Sequence, residues 1–403
     1  MNFFKQKLIL LSPIMAFLVV AIFCLSNNPT VNPEPKDIPI AIVNNDHSVK
    51  ISKNEEVNVS KEIVKAMKSK TKASAGKDAI VKWIDVNSEE KAQEELNNQK
   101  YYAAIIIPKS FTEKQLSFQT EKPINPEVKI LINQGMNPVG VKATEQVINK
   151  IYDSINTKTR AEITDLLKQN TDKLSFAQSL AMVTPIKKET KYVNEVSSHS
   201  ANGNAPISIF QPLWMASLIC SALVFLAIKK ITCPTKIEKL YLKLWQIVLG
   251  ILLSFIVGFS IVWISVYWLD LNIPNYTNTA LFLTLSCFCI YLLISAILSW
   301  IGIAGIPLFA IVLFISLPIL NLPKEFLTSF NYQYVNSWLP SRFVVDGLRE
   351  LLYFKTKLQI SDEPVKVLIY IGIISLIVLI LSILKRSKND LNNARANTAE
   401  LSN

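Results

Sequence analysis

Residues 271–323, LNIPNYTNTALFLTLSCFCIYLLISAILSWIGIAGIPLFAIVLFISLPILNLP, run for 53 positions without one Asp, Glu, Lys or Arg. A helix rises about 1.5 Å per residue and the hydrocarbon core of a bilayer is about 30 Å thick, so this stretch is long enough for two crossings in succession. Gly302, Gly305 and Pro307 mark the place where one crossing gives way to the next. Working outward, four further apolar segments complete a set of six expected spans: Leu8–Leu25, Ile207–Ile228, Leu244–Leu269, Thr279–Trp300, Ile301–Leu322 and Val367–Leu384. The fold class read from this is a polytopic α-helical membrane protein with six transmembrane helices and a small α/β extracytoplasmic domain inserted between the first and second. The first span is read as uncleaved, because no small-x-small cleavage site follows it.

Half of the 403 residues are hydrophobic although 18% are charged, and mean hydropathy is +0.30. The two coexist because the charge is segregated. Residues 26–206 hold 25 Lys and Arg against 22 Asp and Glu, a nearly neutral polar block. Of the net +11, Met1–Lys7 supplies +2, Lys229–Lys243 supplies +4 and the tail from Lys385 supplies +2. Basic residues beside spans mark cytoplasmic flanks. They put both termini and the 229–243 loop inside and the insert outside, and they leave nucleic acid without a binding surface; the membrane is expected to be a bacterial plasma membrane. No charge lies inside an expected span, which disfavours an ion-coupled transporter.

The insert alternates strand-like and helix-like segments. Ile38–Val43, Ile80–Val86, Tyr101–Ile107 and Val128–Asn133 are strand-like. Helices are expected over Ser60–Lys70, after a cap at Asn87 or Ser88, and from an Asn137 cap with Pro138 in the first turn. Residues 174–204 lose periodicity and are expected to form a mobile return to the membrane. The cluster Asn44-Asn45-Asp46-His47-Ser48 is compatible with a small polar ligand and, more simply, with a turn built on Asn and Asp side chains. His47 and His199 are the only histidines and none of the five cysteines lies in the insert, so neither a metal site nor a disulfide framework is expected. No nucleophile motif, carboxylate pair or phosphate loop is present; Gly76-Lys77 lacks the flanking Gly and Ser/Thr. The chain therefore reads as a non-enzyme that needs no cofactor.

Between Pro340 and the last span, Val344, Val345, Leu348, Leu351 and Leu352 fall on one helical face, with Arg342, Asp346, Arg349 and Glu350 largely opposite. This helix, 341–354, is expected to lie in the interface or to dip in and return; a surface helix is the plainer alternative.

The order of elements resembles the membrane subunit of an ABC type-2 exporter, in particular the YhgE/Pip (phage infection protein-like) branch. Four places carry the resemblance. Asp37-Ile38-Pro39-Ile40-Ala41-Ile42-Val43-Asn44-Asn45-Asp46 is similar to that branch's strand and VNxD opening. Tyr101–Ile107 with Pro108-Lys109-Ser110-Phe111-Thr112 resembles its PxxF(S/T) element. Asn202-Gly203-Asn204-Ala205-Pro206 before Leu213-Trp214 is similar to its entry into the second span. Leu339-Pro340 with Val345-Asp346-Gly347-Leu348-Arg349 resembles its external helix. The resemblance implies a homo- or heterodimer of permeases that exports a hydrophobic or amphipathic substrate and is driven by a separate cytosolic ABC ATPase subunit. It implies that Thr235–Lys243, with Lys236, Glu238, Lys239 and Lys243, couples the ATPase to the spans, where residues alone read equally as a positive-inside loop. Arg342, Asp346, Arg349 and Glu350 would then shape an outer gate. The alternative is a non-transporting receptor or secretion-system scaffold whose extracytoplasmic domain binds a partner protein. The domain plan is 1–25, 26–206, 207–384 and 385–403.

Overall fold

The computed structural model describes residues 35–52, 55–71, 79–170, 174–231, 235–354 and 358–385, together with Pro13, Phe17 and Val20. The expected first span, Leu8–Leu25, lies outside the described residues apart from those three positions, as does the tail beyond Lys385. The chain divides into two units, one formed by the described part of Asn32–Ser197 with Leu322–Thr328, the other by the rest.

The first unit is built on a five-stranded sheet. Its strands are β1 (Ile38–Asn44), β4 (Val81–Asp85), β5 (Ala103–Ile107), β6 (Glu127–Asn133) and β7 (Lys187–Val193), in the order β4-β1-β5-β6-β7. β2 (Val49–Ser52) and β3 (Glu55–Val57) form a separate antiparallel pair. In the main sheet β1 is parallel to both β4 and β5, β5 is antiparallel to β6, and β6 is parallel to β7. All five residues of β5 are buried. Alternate residues enter two cores on opposite faces, as the two-residue period of a strand requires. Ala104 and Ile106 join Ala41, Val43 and Leu131 beneath α2 (Glu89–Asn97), through Ala92 and Leu96. Ile107 turns to the other face, where it meets α1 (Val59–Lys70), α3 (Phe111–Leu116) and α4 (Pro138–Asn170), through Ile63, Phe111 and Tyr152. Burial on both faces is why the central strands read as unbroken apolar runs.

All four expected strands and all three expected helices are present. Ser88, not Asn87, caps α2, its side chain accepting from Lys91 N–H. The expectation of an unstructured return over 174–204 is corrected. That stretch holds α5 (Phe176–Val183), which opens with a Ser175–Gln178 capping box, and then β7. β7, sequence KKETKYV, is an edge strand. Its lysines suit a solvated edge and erase the alternation that announces a strand. The unit also gains an unexpected piece, Leu322–Thr328. Phe326 and Leu327 are buried, the Lys36 amide donates to the Glu325 carbonyl at 2.9 Å, and the Tyr102 hydroxyl donates to the Glu325 carboxylate at 3.1 Å. Burial raises the Glu325 carboxyl above its ordinary value, with Tyr102 opposing.

The second unit is helical. Among the described residues, four stretches are long and apolar enough to cross a membrane: Ala205–Lys229, Lys236–Tyr267, Tyr276–Asn321 and Glu363–Leu384. They contain α6 (Ala205–Lys229), α7 (Lys236–Tyr267), α8 (Tyr276–Ile301), α9 (Gly305–Asn321) and α11 (Glu363–Leu381); α10 (Pro340–Arg349) precedes the last. The 46-residue third stretch breaks at Gly302, whose φ of +74° is a conformation that side chains resist, so α8 and α9 are separate helices. α8 is the central helix, in contact with α6, α7, α9, α10 and α11. Its tightest neighbour is α7, whose buried face is Gln246, Gly250, Ser254, Gly258, Val262 and Ser265. Small residues four apart let two backbones approach, the arrangement that replaces hydrophobic sorting between helices in lipid.

Candidate functional site

The expected coupling loop 229–243 is corrected. Lys236 opens the 32-residue α7, so the segment is helical from there, and only positions 232–234 lie outside the described residues. Thr235 and Glu238 form a capping box: the Glu238 amide donates to Thr235 Oγ1 at 3.2 Å, and the Thr235 amide donates to Glu238 Oε2 at 3.3 Å. The signal, Thr-x-x-Glu, stands in the sequence. A partition by hydropathy hides it, because it cuts the helix at its last lysine. Lys236 and Glu238 are exposed and Lys239 is partly covered. Lys243 turns inward, its Nζ donating to Ser299 Oγ on α8 at 2.9 Å and to Gln246 Oε1 at 3.2 Å. The four residues therefore do not form one surface cluster. Lys243 also lies within an apolar helix that was expected to begin after it.

The helix expected at 341–354 is enclosed by its neighbours, which sets aside only its reading as a plain surface helix. Eight of the ten residues of α10 are buried, and it packs against α6, α8, α9 and α11. Val344, Val345, Leu348, Leu351 and Leu352 all point inward as their spacing requires. Phe343 and Ser341 are buried as well, Ser341 donating to Ser316 Oγ on α9 at 2.9 Å. A helix apolar enough on one side, and small or aromatic at its flanks, is enclosed once neighbours are available on several sides. The last turns, Glu350–Phe354, widen to π spacing.

Arg342, Asp346, Arg349 and Glu350 separate into two settings. Arg342 pairs with Asp346 at 3.2 Å and with Glu363 at 3.4 Å, and its guanidinium lies 5.1 Å from the centre of the Phe343 ring. Arg349 is buried, 7% exposed. Burial, then the charges of Asp362, Asp346 and Glu363, push the Glu350 carboxyl up to about 7. Asp362 and Glu363, at the start of α11, are partners that the sequence reading missed; their signal was the acidic entry Asp-Glu-Pro into a helix. A carboxyl raised in the folded state favours the protonated fold, so stability is lost as pH climbs from the ordinary value of 4.5 to about 7 and stays lost above it. Glu350→Gln should therefore raise the melting temperature in detergent at pH 8 and converge on the parent by pH 4.5. A gain equal at both pH values would mean that the carboxylate is not the cause.

The two insert motifs meet. Asp46 Oδ1 accepts from the Thr112 amide at 3.1 Å and Oδ2 from the Thr112 hydroxyl at 2.6 Å; that hydroxyl accepts from the Val59 amide at 2.9 Å. Asn44 exchanges hydrogen bonds with Ser60 at 3.0 and 3.2 Å. The Asn44–Ser48 cluster is thus a turn that ties β1 to the starts of α1 and α3. Among the described residues no group of three His, Cys, Asp or Glu side chains could hold a metal.

Comparison with known proteins gives three likenesses. A family model described as ABC-2 family transporter protein matches residues 7–384. Uncharacterized protein YhgE of Bacillus subtilis (strain 168) is 24% identical over 133 residues, which are 33% of this chain and 16% of that protein's length. The chain therefore spans about a sixth of that relative. A solved domain described as part of an ABC type-2 transporter from Thermotoga maritima MSB8 is 16% identical, covers 42% of this chain and 99% of its own, and gives a TM-score of 0.27.

Proposed function

The chain belongs to the ABC-2 family of transporter proteins, and from that membership we propose that it is the permease subunit of an ABC exporter. It works as a homo- or heterodimer, moving a hydrophobic or amphipathic substrate outward under the drive of a separate cytosolic ATPase. In this reading the chain crosses the bacterial plasma membrane six times, with Leu8–Leu25 as the first crossing and α8 and α9 as two of the others. The insert is then extracytoplasmic, and the charged side of α10 with Glu363 borders the outer mouth.

The observation that supports coupling is the form of α7. Its 32 residues measure about 48 Å, well beyond the hydrocarbon core of about 30 Å. The excess falls at the end closed by the Thr235–Glu238 box, where Lys236 and Lys239 stand before the apolar stretch. A capped helix end passes a push along its axis, whereas a loose loop absorbs it.

The test is charge reversal at Lys236 and Lys239 with Glu238 retained, since Glu238 closes the cap. A charge change at the exposed Lys236 costs no more than about 0.5 kcal/mol and the partly covered Lys239 somewhat more, so expression and insertion should hold, with Lys229, Lys230 and Lys243 still fixing orientation. Co-purification of the ATPase should fall and substrate-stimulated hydrolysis should disappear. Thr235→Ala, at a cost of about 1 kcal/mol in cap energy, should weaken coupling without changing charge. An ATPase partnership untouched by the reversal would remove the coupling assignment. If the parent chain captures no ATPase, the receptor or scaffold reading replaces the exporter.

A further inference from the structure

In the first unit a pocket of about 160 Å³ opens between α1, α3 and α4. Its body is apolar, formed by Ile63, Leu116, Phe118, Ile155, Ile163 and Leu167. Two enclosed polar side chains interrupt that lining. Gln115, on α3, is 8% exposed. Its Oε1 is shut in without a hydrogen-bond partner, and its Nε2, the half that keeps some surface, makes no bond either among the described residues. Thr159, on α4, is 6% exposed, and its hydroxyl is likewise unbonded among the described residues. Buried carboxamides and hydroxyls are almost always paired in a folded protein, so two unpaired ones in a single pocket mark the place of a missing polar group. The rim limits the charge of that group. Among the described residues that line the pocket, Lys158 is the one cation and pairs with Glu162 at 3.4 Å, whereas Glu62 has no partner. An anion would meet the Glu62 carboxylate with no free cation to offset it.

We propose that this pocket binds a small uncharged alcohol whose apolar body is about one ring in size. A cavity of about 150 Å³ lined by Leu, Ile and Phe admits benzene, so the volume suits a single ring. The ring lies against Ile63, Phe118, Ile155 and Leu167, and its hydroxyl oxygen accepts from Gln115 Nε2 with Thr159 beside it. Water is a poorer occupant, because each molecule needs two to four polar partners and the body of the pocket offers none. The inference concerns binding by this unit and stands whether or not the chain transports.

Hydrogen exchange of the full chain in detergent tests it, with 4-methylphenol, toluene or 4-methylbenzoate dialysed to equal free concentrations. These three share one ring and differ in carrying a hydroxyl, no polar group or a carboxylate. In the parent, 4-methylphenol should slow exchange at the amides of α1 and of residues 155–167. Half of that effect should need about a tenfold lower concentration than with toluene, a gain in keeping with one or two neutral hydrogen bonds. The benzoate should give no protection. Gln115→Leu should respond equally to 4-methylphenol and toluene, and it should melt higher than the parent because no unpaired carboxamide stays buried. Ala66→Phe, which fills the pocket from α1, should remove protection by both. No protection of the parent by 4-methylphenol would mean that the pocket holds water only or closes in solution, and would overturn the assignment. So would an equal response to toluene, protection by the benzoate, or a preference that survives Gln115→Leu.

Discussion

Gly258→Val should leave almost no correctly assembled membrane unit. A Cβ at Gly258 would fall 2.5 Å from Thr284 Oγ1, 2.7 Å from the Thr284 amide nitrogen and 2.8 Å from the Ala280 carbonyl oxygen. Two of those atoms are main chain of α8 and have no rotamer to adopt, so the helices themselves must part. Overpacking in a well-filled core costs about 1–3 kcal/mol when side chains can shift, and here they cannot, so the loss should exceed that range. Gly250 is the internal control. The three atoms nearest its Cβ would all belong to the Tyr291 ring, Cε1 at 2.2 Å, and that ring can swing at the expense of its 3.0 Å bond to the Gln246 carbonyl. Gly250→Ala should therefore lower the melting temperature and still yield a monodisperse protein in detergent. Size-exclusion profiles and thermal unfolding of the two variants decide it. A Gly258→Val protein that elutes and melts like the parent would show that α7 and α8 do not approach this closely.

Asp46→Ala should have the next largest effect, in the insert. Thr112 is fully buried, and both its amide and its hydroxyl donate to the Asp46 carboxylate. Removing the carboxylate strands two buried donors, and hydrogen bonds to a charged group contribute about 1.5–3 kcal/mol each, so a loss of about 3 kcal/mol or more is expected. Asp46→Asn should recover part of it, since one amide oxygen still accepts. Thr112→Val should cost a similar amount, because it also deprives the Val59 amide of its acceptor. The double variant should then be little worse than either single change, as expected for residues that act as one contact. Hydrogen exchange at the β1 and β5 amides of the full chain provides the readout. Full protection in Asp46→Ala would mean that the turn is held by Asn44 and Ser60 without it.

The sequence determined each element whose own burial sets its pattern. β5 throughout and β1 as far as Val43 are apolar because both faces are covered. Ser88 and Asn137 announce α2 and α4, and the uncharged run 271–323 is the α8–α9 pair with its break at Gly302. The inward face of α10 was legible as well. That it is enclosed was not, because an amphipathic helix carries the same spacing against lipid headgroups as against α6, α8 and α9. β7 was illegible because a solvated edge strand needs no apolar alternation.

The candidate sites depended still more on the fold. Asp46 and Thr112 are 66 positions apart, and they meet because the parallel register sets Asn44 beside Ile107 and so brings the loops after β1 and β5 together. Tyr102 and Glu325 are 223 positions apart and joined by a hydrogen bond. Periodicity records what one element does with its own surface, repeated turn after turn. A bond between two side chains occurs once, at a separation set by the path of the chain between them, and so only the folded chain reveals which residues meet.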